Sequence, residues 1–153
     1  MSLLSSHDIL TKLNRNADEL LKKAIVQICP IDVLPDKVLS YPIFLIINTH
    51  SHNLPGEHWK VIYINTYRNG EVFDSLALPM NNRLIQWLNK FSKKWFCNTI
   101  AYQHLLSTYC GSYVLYYILN RMKTSSMQKT LAPFTDNPSL NDKFISNFYM
   151  SLK

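Results

Sequence analysis

Glycine is scarce in this sequence, and its scarcity makes each occurrence informative. Only three glycines stand among the 153 residues, so each is expected to mark a turn or a close approach of the backbone to something else. Gly70 follows Asn69, a pair typical of a hairpin turn. Gly111 follows a cysteine, where the missing side chain would let a substrate backbone approach. Gly56 lies two residues before a histidine, and turn chemistry explains it equally well.

Cysteine is also rare, and its pattern argues against two kinds of site. The three cysteines are odd in number and form no CxxC pair, which disfavours a disulfide framework and a structural zinc site. A reducing compartment fits this usage best. The three residues are Cys29, Cys97 and Cys110.

Long apolar runs and a secretory leader are missing as well. The longest apolar stretches, such as residues 43–47, are far too short to span a bilayer, and no basic segment followed by an apolar run opens the chain. We therefore expect no membrane partner, and a soluble monomer that is intracellular or packaged inside a particle. A hydrophobic content of 47% with 17% charged residues suits a single packed domain over residues 1–153.

Basic residues outnumber acidic ones by 16 to 10, which gives a net charge of +6 and a pI near 9.2. A basic surface can hold DNA through phosphate contacts. Charge alone favours the simpler interpretation, a solvated surface, because the basic clusters are short and are not interleaved with aromatic residues. The clusters are Lys22 with Lys23, Lys90 with Lys93 and Lys94, and Arg121 with Lys123.

The first part of the chain predicts a helix followed by a strand. Ser5 or the next serine can cap a helix with Asp8 in its first turn, and apolar residues recur at helical spacing over residues 9–21. Residues 29–35 contain two prolines, which predict an extended loop. The apolar, β-rich run Ile43–Asn48 predicts a buried strand.

A hairpin is predicted next, with its turn at Asn69-Gly70. Its first strand begins at His58 and its second ends at Asp74. Counting back from the turn leaves Asp74 opposite residues 61–63, a few residues short of His58. A bulge or a shift in register would be needed to bring the two side chains together.

The second half predicts a helix over residues 79–91, a strand over 98–102 and a last helix over 139–152. Between them, residues 110–122 predict a helix so apolar that it should be buried in the core. The fold class is therefore α+β, a small mixed β-sheet flanked by helices, with a central buried helix that carries Cys110 at its N-terminus.

Cys110 has the surroundings that a nucleophilic thiol requires. The N-terminus of a helix offers partial positive charge and backbone N–H groups, and both favour the thiolate. The alternative is an ordinary buried cysteine on an apolar helix. Cys29 and Cys97 lack a neighbouring glycine and a helix start, so they are poor candidates.

His58 and Asp74 can supply the base and the group that orients it. A thiol needs a base to become a thiolate, and the base needs a partner that fixes its tautomer. His58 lies at the start of a strand, from which it can point toward the helix tip. Read singly, His58 is a surface histidine and Asp74 a turn or cap residue.

Gln103 completes the chemical set because its side-chain amide can donate to the oxyanion that forms during acyl transfer. The backbone N–H of Cys110 can supply a second donor. Ser107 is expected to shape the loop before the helix. Trp59 either lines a cleft beside His58 or is a core aromatic residue.

A metal site is suggested weakly by His50-Ser51-His52, since alternate residues of a strand share a face. No carboxylate or cysteine stands near them in the sequence to complete a site. We therefore expect no metal and no cofactor for the chemistry.

Taken together, these residues resemble the adenovirus-type cysteine proteases, the adenains. The resemblance extends to relatives encoded by DNA transposons of the Polinton/Maverick type and by related viruses, and the SUMO-specific proteases share the same clan plan. It covers roughly residues 40–122. The matching motifs are Gly56-Glu57-His58-Trp59, Phe73-Asp74-Ser75, and Gln103 through Ser107 to Cys110-Gly111.

The resemblance implies that Cys110 is the nucleophile, His58 the general base, Asp74 its orienter and Gln103 the oxyanion donor. It also implies cleavage after small residues such as glycine, in the host nucleus or cytoplasm or inside a virion. Adenovirus enzymes are stimulated by DNA and by a short viral peptide, so both are candidate activators, although no single residue carries them over. The Leu-Ala-Leu-Pro run after Ser75 departs from many relatives, which have a glycine there.

The leading hypothesis is a thiol endopeptidase with a His-Asp-Cys triad that cleaves viral or virus-like structural precursors during virion maturation. A second interpretation is a deconjugating protease for ubiquitin or SUMO, and a third is an acyl transferase that uses the same site. A different class is a non-catalytic module, in which the triad residues belong to the core and the basic surface binds nucleic acid.

Overall fold

The computed structural model describes residues 3–49 and 58–153. Its helices are α1 Ser6–Asn16, α2 Asn82–Phe91, α3 Cys110–Arg121, α4 Met127–Thr130 and α5 Pro138–Ser151, with a 3₁₀ turn at Leu21–Lys23. Its strands are β1 Ile25–Pro30, β2 Ile43–Asn48, β3 Trp59–Ile64, β4 Asn69–Phe73 and β5 Lys94–Cys97. Among these residues, no helix is both long and apolar enough to cross a bilayer.

The five strands form a mixed sheet in the order β1-β2-β3-β4-β5. The inner pairs β2–β3 and β3–β4 are antiparallel, and the outer pairs β1–β2 and β4–β5 are parallel. The predicted α+β class with a small mixed sheet is confirmed.

Two apolar clusters cover the two faces of this sheet, which explains why β2 and β3 are buried on both sides and have nearly continuous apolar sequences. On one face, residues such as Phe44, Val61 and Phe73 pack with α1, α3 and α5. On the other, residues such as Leu45 and Ile62 pack with α2. The predicted burial of α3 is confirmed, because only its last turns leave a residue partly exposed.

Local hydrogen bonds set the ends of two helices. Ser5 and Asp8 form a reciprocal capping box at the start of α1, as the sequence indicates. Helix α2 begins at Asn82, three residues after Pro79, because the side chain of Asn81 accepts a hydrogen bond from Arg83 N at 2.8 Å.

The predictions for two short segments were wrong. Residues 29–35 were expected to form a loop, but Cys29 and Pro30 end the edge strand β1, where a proline is tolerated because one side of the strand needs no partner. The expected strand over residues 98–102 is replaced by β5, four residues earlier. The side chain of Asn98 instead forms two hydrogen bonds with the backbone of Asp74. Its Oδ1 accepts from Asp74 N at 2.8 Å, and its Nδ2 donates to Asp74 O at 2.7 Å.

The hairpin turn was also placed too late. The side chain of Asn65 accepts hydrogen bonds from Tyr67 N and Asn69 N, each at 3.0 Å, and Arg68 takes a left-handed backbone with φ of 64°. Gly70 therefore lies within β4, opposite Ile64. A side chain there would meet Trp95 Cβ at 3.2 Å, so this glycine serves close packing and not a turn.

A buried ionic cluster joins the far end of α3 to the sheet. Arg121 donates to both oxygens of Glu71 on β4, with Nη2 at 3.2 Å from Oε2. The hydroxyl of Tyr117 donates to the same carboxylate. The side chains of Arg121 and Glu71 are only 10% and 7% exposed, so each needs the opposite charge of the other to offset its loss of hydration.

Arg121→Met should lower the free energy of unfolding by about 3–5 kcal/mol, because it leaves the Glu71 carboxylate buried without its cation. Urea denaturation followed by circular dichroism measures this change. The double variant Glu71→Gln/Arg121→Met should recover much of the loss. Equal losses in the single and double variants would show that the cost is not electrostatic.

Candidate active site

The end of β4 and the start of β3 bring His58 onto Asp74. The last pair of this ladder joins Val61 to Phe73, so His58 lies beyond its end, as the counting from sequence indicates. The imidazole nonetheless reaches the carboxylate, with His58 Nε2 2.6 Å from Asp74 Oδ1. No bulge is needed, because both residues stand outside the paired strands and their side chains converge.

The Asp74 carboxylate is 4% exposed and accepts several hydrogen bonds. Oδ1 accepts from Leu76 N at 2.9 Å, and Oδ2 accepts from Leu78 N at 3.2 Å. The ammonium of Lys60 lies 3.3 Å from Oδ2. Asp74 is thus a turn-capping residue and the partner of His58 at once, so the two interpretations of this residue are compatible.

Charge and burial shift the pKa values of His58 and Asp74 in opposite directions. Burial alone would lower the pKa of His58, but hydrogen bonds to Asp74 and Cys110, together with the charges of these partners, outweigh it and raise the pKa to about 9. Burial alone would raise the pKa of Asp74, but the bond and charge of His58, the charge of Lys60 and the N–H of Leu76 lower it below its ordinary value. An ionised pair is therefore favoured at neutral pH.

Cys110 is the first residue of α3 and is 3% exposed. Its thiol forms a side-chain hydrogen bond with His58. Because His58 Nε2 faces a carboxylate, Nδ1 is the nitrogen left to exchange a proton with the thiol. Tyr109 makes no side-chain cap at this helix start, and the helix N-terminus favours negative charge on the sulfur.

Gly111 has a different role from the one expected. A Cβ at this position would lie 3.1 Å from Leu4 Cβ, so the glycine makes room for the segment before α1 and not for a substrate. Leu4 O in turn accepts a hydrogen bond from the indole of Trp59 at 3.0 Å. Trp59 is 2% exposed and is a core aromatic residue, the second of its two interpretations.

Gln103 is 3% exposed, so it is not a surface glutamine. Its Nε2 donates to Ser107 O at 3.0 Å, and its Oε1 accepts from Ser75 Oγ at 2.6 Å. Since a carbonyl oxygen only accepts, these contacts fix which way the amide points. One proton of Nε2 is used within the loop, and the second can be donated elsewhere.

The Ser107 hydroxyl, among the described residues, is buried without a hydrogen-bond partner.

The sequence did not single out Ser75 or Lys60, although both contact the proposed set. Ser75 anchors Gln103 by its side chain, and its backbone oxygen accepts from Gln103 N at 3.0 Å. The sequence could have pointed to Lys60, because a charged residue within an otherwise apolar strand needs a partner when the strand is buried.

The other two cysteines are free and lie in β1 and β5. Burial raises the pKa of the Cys29 thiol to about 11, which makes it a poor nucleophile at neutral pH. Within the described part of the chain, no group of three or more His, Cys, Asp and Glu side chains could hold a metal ion. His50, Ser51 and His52, and the motif residues Gly56 and Glu57, lie outside the described residues.

The titration of His58 gives a direct test of this geometry. Its pKa of about 9, against an ordinary 6.5, means that the pair stabilises the fold fully below pH 6.5 and loses this effect as the pH rises through 9. Imidazole NMR should therefore show a midpoint near pH 9, and Asp74→Asn should lower it, because a negative partner is removed. An unchanged midpoint in that variant would contradict the assigned contact.

Comparison with known proteins identifies the fold. No family profile matches the sequence, and no curated protein does. The solved ASFV pS273R protease, in its selenomethionine form, matches with a TM-score of 0.53 and 21% identity over 65% of this chain and 40% of that chain. A second structure of the same protease gives a TM-score of 0.49 and 24% identity, covering 65% of this chain and 39% of that one.

The SUMO protease Ulp1, with its catalytic cysteine oxidised to a sulfinic acid, gives a TM-score of 0.36 and 18% identity, covering 58% of this chain and 47% of that chain. The chain thus spans less than half the length of each of these proteins. At such identities the likeness concerns the backbone, and only the first of the three structures has a TM-score above 0.5. This chain has the fold of the ASFV pS273R protease, which confirms the expected cysteine-protease-like α+β fold.

Proposed function

We propose that this chain is a cysteine endopeptidase in which Cys110 is the nucleophile, His58 the general base, Asp74 its orienter and Gln103 an oxyanion donor. The observation that carries the proposal is the imidazole of His58, which is hydrogen-bonded to Asp74 at 2.6 Å and to the Cys110 thiol at once. This is the arrangement that activates a thiol. The fold of the ASFV pS273R protease supports it.

In the proposed reaction, the thiol proton has already passed to His58 Nδ1, as the raised pKa of His58 favours, and the Cys110 thiolate attacks the carbonyl carbon of the scissile bond. Gln103 Nε2 and the N–H of Cys110 donate to the oxyanion. The imidazolium gives its proton to the leaving amine, and a thioester remains on Sγ. Water then gives a proton to His58 and attacks the thioester, and release of the carboxylate product returns the thiol.

The resemblance in the motifs supports a proposal for the substrate class. We infer cleavage after small residues such as glycine, in structural precursors of a virus or virus-like element. The interpretation as a ubiquitin or SUMO deconjugating enzyme uses the same chemistry and differs in requiring a folded modifier. DNA and a short peptide stay candidate activators, and a virion, nuclear or cytoplasmic location stays a prediction.

One surface favours DNA as a partner of the same protein. Lys93 N donates to Arg68 O at 2.8 Å, and Lys94 pairs with Asn69 across the β4–β5 ladder. Both lysines and Arg68 are exposed. Tyr67 beside them is 75% exposed, so this cluster has an aromatic neighbour that charge counting alone did not reveal. Phosphate contacts with a stacked base would fit such a surface.

A glycine-ended peptide vinyl electrophile should label Cys110 alone, because in the described part of the chain this is the thiol that bonds a histidine held by a carboxylate. Peptide mapping by mass spectrometry identifies the labelled residue. Cys110→Ala should abolish both labelling and cleavage of a peptide library, whereas Cys29→Ser and Cys97→Ser should retain them. Matched melting curves verify that each variant is folded.

Other results of the same experiment would favour the deconjugating protease or the non-catalytic module. Labelling at Cys29 or Cys97, or none, contradicts the peptidase. Preference for a modifier-aldehyde probe over the short peptide favours deconjugation. Salt-sensitive DNA binding by a wild-type chain that neither labels nor cleaves favours the non-catalytic module.

A further inference from the structure

Strand β3 carries a charged side chain at a buried position. Its sequence is apolar except for Lys60, which is only 3% exposed. Desolvation of an ammonium group is costly unless an opposite charge lies beside it. The position of Lys60 therefore requires a reason beyond packing.

The hairpin register supplies the partner. The ladder ends at the pair Val61 and Phe73, so the next step places Lys60 across from Asp74 on the same face. Lys60 Nζ lies 3.3 Å from Asp74 Oδ2, with side chains that are 4% and 5% exposed. The other oxygen, Oδ1, is the one that contacts His58. Two cations thus share one carboxylate, each through its own oxygen.

The charges of the proposed reactive state explain what this sharing does. An imidazolium on His58, a thiolate on Cys110 and a carboxylate on Asp74 sum to one negative charge in a buried site. The ammonium of Lys60 brings the sum to zero. Among residues 3–49 and 58–153, the other polar side chains and N–H groups that hold Asp74 are neutral: the N–H groups of Leu76 and Leu78, and the amide of Asn98.

We propose that Lys60 is a positioning residue of the active site, whose ammonium holds Asp74 Oδ2 and whose charge balances the site. This role rests on the proposed function of Cys110 and His58. The lowered pKa of Asp74 agrees with this role. Burial alone would raise this pKa, and the hydrogen bond and charge of His58, followed by the charge of Lys60, lower it. Lys60 would thus be a fourth charged residue beside the proposed triad of Cys110, His58 and Asp74.

Lys60→Met keeps the aliphatic stem and removes the charge, and its effect has a definite sign. Loss of a positive charge from the carboxylate that His58 shares should raise the titration midpoint of His58, because a nearby like charge disfavours the imidazolium. Asp74→Asn should move the same midpoint downward. A packing defect would not produce shifts of opposite sign.

The experiment combines imidazole NMR titration of His58 with steady-state peptide cleavage across pH. For Lys60→Met we expect an upward shift of the midpoint and of the alkaline limb of kcat. We also expect kcat to fall at neutral pH, because an imidazolium with a higher pKa gives its proton less readily to the leaving amine, with KM nearly unchanged. Lys60→Gln should give the same shift if the methionine variant does not fold, and Lys60→Arg should keep the wild-type midpoint.

Two controls isolate the role. Lys90→Met removes an equal charge from an exposed position in the last turn of α2 and should leave both readouts unchanged. In an Asp74→Asn background, Lys60→Met should cause no further loss of kcat, because the residue through which it acts is gone.

The proposal is overturned if Lys60→Met and Lys60→Gln titrate like the wild type, shift downward, or lose kcat additively with Asp74→Asn. These outcomes can be separated from failure of the proposed function. A wild-type chain without turnover contradicts the peptidase, whereas an active wild type with unshifted Lys60 variants contradicts the positioning role alone.

Discussion

A buried carboxylate must have hydrogen bonds or cations around its oxygens, and the way in which Asp74 meets this need organises the candidate site. The oxygens of Asp74 bind His58, Lys60 and two backbone N–H groups. Asn98 binds the backbone of the same residue on both sides. Because Ser75 follows directly and holds Gln103, one short segment after β4 orients both the proposed base and the proposed oxyanion donor.

The sulfur is placed by the packing of α3. Gly111 lets Leu4 approach the first turn of this helix, and the opposite end is tied to β4 through Glu71 and Arg121. Close packing and a buried ion pair fix a helix more tightly than surface contacts do. The thiol therefore meets an imidazole whose own position is set by the same sheet to which α3 is tied.

Sequence predicts those parts of this protein that local rules decide. The capping box of α1, strand β2 and the buried helix α3 follow from spacing and apolar content alone. The hairpin turn does not, because the Asn65 side chain builds a turn four residues before the expected Asn-Gly pair. Long-range contacts were equally hidden: nothing local shows that Gly111 faces Leu4. Strand pairing alone did not bring His58 to Asp74, because both residues stand beyond the end of the ladder and only their side chains converge.

The most direct measurement is a crystal structure of the chain after reaction with a glycine-ended vinyl electrophile. The account predicts a covalent bond from Cys110 Sγ to the inhibitor, with His58 still bound to Asp74. The inhibitor carbonyl oxygen should lie within about 3 Å of Gln103 Nε2 and of the Cys110 backbone N–H. An adduct on another residue, or a carbonyl oxygen directed away from both donors, would contradict the account.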